Sequence, residues 1–246
     1  MNEKSSEQLN FKSGLKDGLP IGLGYLSVSF AFGVQASILG IPVLLTALIS
    51  MTNLTSAGQL AGLPIIALAG SGVFLSLLLQ IISTQLVINA RYFLMSITLS
   101  QKLDQSFTLG KRFFYSLFVT DEIFAVGASK KSINTKYFLG LATLPYFGWA
   151  LGTILGAIAS NILPAFISDA LGIALYAMFV AIIIPPSMTK KGVLPTVLLS
   201  AGLSCALFFI PIFNVIPNGF KIIICAVLSA GLMAFLMPVK ESEDVR

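Results

Sequence analysis

The sequence predicts an all-helical polytopic membrane protein, and its composition, its mean hydropathy and the distribution of its charges support this prediction. Of 246 residues, 56% are apolar and 10% are charged, compared with roughly 45–50% and about 25% in soluble domains. The mean hydropathy is +0.93. No acidic or basic side chain occurs between Asp17 and Arg91, and a stretch of that length holds more than one crossing of about 20 residues. A water-soluble globular protein is therefore excluded.

Six apolar runs are long enough to cross the membrane as helices. They end near Gly, Asn and Pro residues, which terminate helices or form turns. The predicted spans are residues 19–39, 73–97, 137–160, 166–186, 193–210 and 220–238. We expect one transmembrane domain over residues 19–239, between tails at 1–18 and 240–246. It would hold about six to eight transmembrane helices, depending on two shorter segments.

These two shorter segments are predicted to be broken or re-entrant. Residues 43–69 are apolar except for a polar middle at 50–59, and each apolar part reaches only about 10–15 Å as a helix. Residues 113–128 would span about 24 Å and carry Asp121 and Glu122 near their middle. These lengths are shorter than the roughly 30 Å thickness of the hydrocarbon layer, so we do not expect either segment to be an ordinary transmembrane helix.

The basic residues favour one membrane topology. They cluster in the tails and in three connections, at Lys102 to Arg112, Lys130 to Lys136, and Lys190 with Lys191. If both short segments enter and leave on the same side, all clusters and both termini lie in the cytoplasm, as the positive-inside rule requires. If both cross fully, there are eight spans and the first cluster lies outside. We favour the first layout, in the cell membrane.

Several classes of function are excluded by what the chain lacks. It has no His, which removes His-based zinc sites, Ser-His-Asp triads and imidazole proton relays. Cys205 and Cys225 lie in separate apolar runs, so we expect buried thiols rather than a disulfide. The surplus of five positive charges does not form the basic stripe of a nucleic-acid-binding protein. We expect no enzymatic activity, metal, cofactor or nucleic-acid partner.

The polar stretch in the first short segment is a candidate substrate site. Interrupted helices at membrane depth present free backbone groups, and these suit the two charges of an amino acid. Surrounding Leu, Ile and Val would accept an aliphatic side chain. The alternative is an exposed loop between two short spans. The candidate substrate-binding residues are Thr52, Asn53, Thr55, Ser56, Gly58, Gln59 and Asn89.

Arg91, Asp121 and Glu122 are candidates for an ion pair that couples transport to protons. An Arg at membrane depth costs at least about 2.5–3.5 kcal/mol unless it pairs or reaches the headgroups. Arg91 could therefore pair with either acid or extend to the interface. Adjacent carboxylates point about 100° apart on a helix, and a buried carboxyl group favours its protonated form. The alternative is that the acids flank an interfacial helix.

Small residues recur at every fourth position in the span of residues 137–160: Gly148, Gly152, Gly156 and Ser160. This spacing lets two helix backbones approach closely. We favour packing within the chain over contact with a separate subunit. Trp149 and Tyr146 are interpreted as interfacial anchors rather than walls of a pocket.

At these positions the chain resembles the AzlC family, the large membrane subunit of two-component branched-chain amino acid exporters. The resemblance rests on Leu19 to Tyr25, Ala57-Gly58-Gln59, the Asn89-x-Arg91 helix, Thr120 to Ala125, and the span with Trp149, Gly152 and Gly156. It implies export of Leu, Ile, Val and Met, and a small AzlD-type membrane subunit as partner. A scaffold or assembly subunit, docked through the Gly148 to Ser160 face, is the alternative hypothesis.

Overall fold

The computed structural model describes residues 9–68, 74–160 and 191–237, with isolated positions between 162 and 188. Over these residues the chain is helical and forms no strand, which confirms the predicted fold class. Among the described residues three helices, Phe11–Ile38, Phe74–Ser100 and Thr135–Ala159, are long and apolar enough to cross a membrane. The helices are α1 (Phe11–Ile38), α2 (Val43–Thr52), α3 (Ala57–Ala67), α4 (Phe74–Ser100), α5 (Leu109–Ser116), α6 (Asp121–Ala128), α7 (Thr135–Ala159), α8 (Val193–Phe209), a 3₁₀ helix (Pro211–Val215) and α9 (Asn218–Leu236).

The boundary of a helix differs from the boundary of its apolar run where a capping residue sets the helix end. α1 begins at Phe11 rather than at Leu19, because Asn10 forms a capping box with Ser13. Asn10 Oδ1 accepts from the Ser13 amide (2.9 Å), and Ser13 Oγ accepts from the Asn10 amide (3.0 Å). Such reciprocal caps satisfy two otherwise free donors. The predicted span at 166–186 lies largely outside the described residues.

By their internal contacts the residues group into two compact units. The first holds residues 1–63 and 89–175, and the second holds residues 64–88 and 176–246. In the second unit α8 packs against α9. Both cysteines in this unit are free thiols, Cys225 buried and Cys205 exposed. The prediction of a buried thiol is therefore wrong for Cys205.

α1 and α7 form the centre of the first unit and run parallel to each other. Glycines on each helix lie against backbone atoms of the other, and the contacts advance along both helices together. A close backbone approach of this kind is the usual basis of helix association in membranes. The contacts include Gly14 with Tyr137, Gly22 with Leu144, Gly148 with Gly22, Gly152 with Leu26, and Gly156 with Phe30.

α2 runs back from the end of α1 towards its middle. The turn needs Gly40, which has a φ of +77°, a backbone conformation that side chains disfavour. Ser50 Oγ lies 2.7 Å from Thr153 Oγ1 and fixes α2 to α7. Beyond α2 the chain is not helical over residues 53–56, and Ser56 has a φ of +35°. We call residues 53–56 the first break.

The predicted re-entrant segment at 113–128 is a hairpin that leaves and returns at one place. The Asp104 amide donates to the Ile133 carbonyl group (2.9 Å), and the Ile133 amide donates to the Lys102 carbonyl group (2.8 Å). Between these points lie α5 and α6, separated by residues 117–120. We call residues 117–120 the second break. The segment is thus two short helices rather than one.

Several basic connections meet at one end of the first unit. Lys130 forms an ion pair with Asp17 near the start of α1 (2.9 Å). Lys102 Nζ donates to the carbonyl groups of Ala128 (2.6 Å) and Lys130 (3.0 Å). The favoured topology requires such a common end for these clusters. The side of the membrane on which it lies stays a prediction.

Candidate functional site

Tyr25, near the middle of α1, contacts both breaks. Its ring packs against Leu54 of the first break and against Trp149 of α7. The Tyr25 and Trp149 rings meet edge to face, with centroids 5.1 Å apart and an angle of 78° between the planes. The Tyr25 hydroxyl group lies 2.7 Å from Thr120 Oγ1 in the second break and donates to Glu122 Oε2. We call this cluster around Tyr25 the junction.

The start of α6 places both acids at the junction. Thr120 is the N-cap of α6, and its hydroxyl oxygen accepts from the Ile123 amide (3.4 Å). Asp121 and Glu122 therefore occupy the first turn, where the helix dipole and the free amide groups stabilise negative charge. The fold therefore fixes the positions of both carboxylates without the need for a ligand.

Arg91 on α4 pairs with one of the two acids. Its Nη1 atom lies 3.0 Å from Asp121 Oδ2, and both side chains are about 40% exposed. The guanidinium group also lies over the Tyr92 ring, 5.1 Å from the centroid. Of the predicted coupling residues, Asp121 contacts Arg91 and Glu122 contacts Tyr25. The two acids thus face different partners, as adjacent helix positions should.

The predicted substrate-binding residues differ in their exposure and in their hydrogen-bond partners. Thr52 is exposed and its hydroxyl group donates to Leu48 within α2 (2.7 Å). Thr55 donates to Asn53 Oδ1 (2.8 Å), which stabilises the first break itself. Gly58 is buried at the start of α3, directly after Ser56 and Ala57. Asn89 lies on α4, two residues before Arg91. Its role in substrate binding stays a prediction.

Gln59 carries a buried polar atom that has no partner in the part of the chain that the structure describes. The side chain is 1% exposed, and its Nε2 atom donates to the Ile49 carbonyl group at 3.4 Å. Its Oε1 atom has no hydrogen-bond partner among the described residues. Buried polar atoms are almost always paired, and an unpaired one costs free energy in apolar surroundings. Gln59 is therefore a candidate to contact a ligand.

Trp149 is the second such residue. It is 2% exposed, and its Nε1 atom lacks a partner within the described chain. Trp149 lies one turn before Thr153 on α7. Thr153 contacts Ser50 of α2, and Ser50 directly follows Ile49, whose carbonyl group accepts from Gln59. An acceptor and a donor that lack partners in the described part of the chain therefore lie beside the first break. They suit the two ends of a dipolar molecule.

This burial corrects one interpretation of the sequence. Trp149 is not an interfacial anchor, because its ring lies in the core against Tyr25. Tyr146 is half-buried, and its hydroxyl group donates to the Met51 carbonyl group (3.2 Å). Both aromatic residues therefore belong to the surroundings of the first break.

The small residues of α7 lie against α1. Gly148, Gly152 and Gly156 approach its backbone, and Ser160 Oγ donates to Ser37 Oγ (2.5 Å). This face is occupied within the chain. It does not offer the docking surface that the scaffold hypothesis places there.

Sequence reasoning missed some residues that organise the site. Tyr25 is the only Tyr in the stretch without acidic or basic residues before Arg91, and that isolation is a usable signal. Gly14, Gly18 and Gly22 on α1 repeat the four-residue spacing recognised on α7. The Ser50 and Thr153 contact had no signal, because single hydroxyl residues are common in membrane helices.

The fold and the site together define a helical membrane protein with interrupted helices. Non-helical backbone at membrane depth is tolerated where protein or a water-filled cavity satisfies it, and transporters use it at their binding sites. The junction joins two such interruptions in one compact unit.

Comparison with known proteins identifies the family. The family model described as AzlC protein matches residues 20–163. The chain is 30% identical to the inner membrane protein YgaZ of Escherichia coli over 234 residues, covering 92% of this chain and 91% of that protein. It is 31% identical to an uncharacterised membrane protein of Archaeoglobus fulgidus over 182 residues, covering 73% and 77%. No solved structure matches. The chain belongs to the AzlC family.

Proposed function

We propose that this protein is a secondary transporter that exports branched-chain amino acids, Leu, Ile and Val, and also Met, from the cytoplasm. It lies in the plasma membrane with both termini in the cytoplasm and acts with a small AzlD-type membrane subunit. The proposal assigns it no bond-making chemistry and no cofactor. Membership of the AzlC family supports a transport-related role.

The observation that carries the proposal is the pair of polar atoms beside the first break that have no partner among the described residues. Gln59 Oε1 is an acceptor and would bind the ammonium group of the substrate. Trp149 Nε1 is a donor and would bind the carboxylate group. Leu54 and the apolar faces around it would accept the aliphatic side chain. A small amino acid with a neutral side chain meets all three requirements.

The start of α6, directly after the second break, supplies the coupling group in this proposal. Asp121 and Glu122 lie at the start of α6, and Tyr25 links Glu122 to the wall of the substrate site. A change in protonation at either acid would alter the contacts with Arg91 or Tyr25. Movement of the second break would then be transmitted through Tyr25 to the first break.

An efflux assay tests the proposal. Cells that carry the protein and its partner are loaded with Leu-containing dipeptides, and the release of Leu is followed. We expect Gln59→Leu to reduce efflux at least tenfold, because it removes the free acceptor. Gln101→Leu, an exposed Gln in the connection after α4, is the matched control and should export normally. Unchanged internal Leu on deletion and on overexpression would contradict the proposal.

The same assay separates export from a scaffold role. Asp121→Asn should stop efflux while the partner subunit keeps its normal level in the membrane. A scaffold would instead lose the partner together with the activity, or would tolerate the substitution.

A further inference from the structure

A cavity of about 200 Å³ lies between the end of α4, α5 with the second break, and the start of α7. Its walls are apolar and include the buried side chains of Leu99, Phe107, Val119 and Phe138. Arg112 of α5 contributes the charged group of the lining, beside Ser96, Ser100 and Ser116. An apolar chamber with one cation suits a ligand with an apolar chain and an anionic head.

The guanidinium group of Arg112 is available to such a head, because among the described residues it makes one hydrogen bond and no ion pair. Its Nε atom donates to the Phe107 carbonyl group (3.3 Å), which holds the side chain at the cavity. Within the described residues Arg112 forms no ion pair, since the two pairs present there join Arg91 with Asp121 and Lys130 with Asp17. The Ser100 and Ser116 hydroxyl groups donate to carbonyl groups of their own helices (both 2.7 Å). Arg112 therefore provides the main attraction for an anion.

α5 resembles a helix that lies in the membrane interface. One side lines the cavity with Arg112 and Tyr115, and the other exposes Leu109 (86%) and Phe113 (78%). Exposed apolar residues next to basic ones are typical of interfacial helices that bind anionic lipids. Basic pockets between membrane helices likewise bind lipid head groups.

We propose that this cavity binds an anionic phospholipid, with part of one acyl chain between the apolar walls and the phosphate group on Arg112. An amino acid substrate fits poorly, because the lining has no carboxylate to receive an ammonium group. A free phosphate would leave the apolar walls unused. The inference does not depend on the proposed export function, because it concerns binding alone.

The test titrates the purified full-length protein with dioleoyl-phosphatidylglycerol and, in parallel, dioleoyl-phosphatidylcholine, and counts bound lipids by native mass spectrometry. Arg112→Gln should weaken binding of phosphatidylglycerol roughly fivefold, the effect of about one basic residue near a lipid surface, and leave phosphatidylcholine unchanged. Lys131→Gln is the matched control, because Lys131 is an exposed basic residue that does not line the cavity. It should bind like the unaltered protein.

Further arms test the acyl chain and the source of the phosphate. Ser96→Phe fills part of the cavity and should weaken binding of both lipids. Ser116→Leu is measured too, because it is exposed and disturbs the packing less. Glycerol 3-phosphate should not compete. The proposal is overturned if Arg112→Gln matches Lys131→Gln, if folded cavity-filling variants bind normally, or if glycerol 3-phosphate displaces the lipid.

Discussion

The Tyr25 hydroxyl group donates a hydrogen bond to the Glu122 carboxylate, and this contact joins the middle of α1 to the start of α6. The other end of the same short helix is tied to α1 as well, through the ion pair of Lys130 with Asp17 (2.9 Å). Tyr25 and Asp17 are about 12 Å apart along α1, and Glu122 and Lys130 are the same number of residues apart. α6 therefore lies antiparallel to α1 and is held at both ends.

Removal of the Tyr25 hydroxyl group should uncouple the two breaks. In Tyr25→Phe the ring still packs on Trp149, while Glu122 loses its donor. A hydrogen bond to a charged group contributes about 1.5–3 kcal/mol, so we expect efflux of Leu to fall at least tenfold with little loss of protein. Tyr115→Phe makes the same change on α5 and should export normally. Normal efflux by Tyr25→Phe would remove Tyr25 from the mechanism.

The ion pair of Arg91 with Asp121 should depend on both partners. Arg91→Ala and Asp121→Asn are each expected to abolish efflux, because each leaves the other charge without its partner. A double-mutant cycle with the exchanged pair, Arg91→Asp with Asp121→Arg, measures the interaction. Activity restored by the exchange above that of either single reversal supports a direct pair. Strictly additive losses would show that the two residues act separately.

Replacement of Gly22 by Ala should destabilise the packing of α1 on α7, whereas replacement of Gly24 should not. A methyl group at Gly22 would lie 2.8 Å from the Leu144 carbonyl oxygen, whereas one at Gly24 would meet no atom within 4 Å. We expect Gly22→Ala to destabilise the protein by about 1–3 kcal/mol. Gly24→Ala should be neutral or stabilising by up to about 1 kcal/mol. Thermal unfolding in detergent measures both, and equal midpoints would contradict the close approach.

The ion pair of Lys130 with Asp17 should hold the C-terminal end of α6. Lys130→Gln removes it, and a partly exposed pair contributes about 1 kcal/mol or less. Because the Tyr25 hydroxyl group still donates to Glu122 at the other end of the helix, α6 should loosen rather than detach. Hydrogen exchange over residues 121–128 should become severalfold faster. Lys131→Gln is the control, and equal exchange in both variants would show that the pair does not hold α6.

Composition and hydropathy were sufficient to predict the fold class, because lipid exposure leaves a strong signal along the chain. The two interrupted segments were also predictable, since residues 50–59 and Asp121 with Glu122 interrupt apolar runs. The meeting of both breaks at Tyr25 was not. It depends on the register of α1 against α6 and α7, and single-residue patterns carry no information on pairing between distant segments.

The errors have physical causes as well. Trp149 resembled an interfacial anchor because Trp is common at membrane surfaces, but glycines on both sides of it bring α1 close enough to bury it. The start of α1 lay earlier than predicted because Asn10 and Ser13 cap the helix. Capping depends on side-chain geometry that hydropathy does not measure.

The central claim is that the first break lines a water-accessible site for a small hydrophobic amino acid, and accessibility of one position tests it most directly. Ser56→Cys is made in a chain with Cys205 and Cys225 replaced by Ser, and labelling by a water-soluble maleimide is followed in membranes with and without amino acids. We predict labelling that Leu slows at least fivefold and Lys does not affect. Absence of labelling, or a rate that Leu leaves unchanged, would contradict the account.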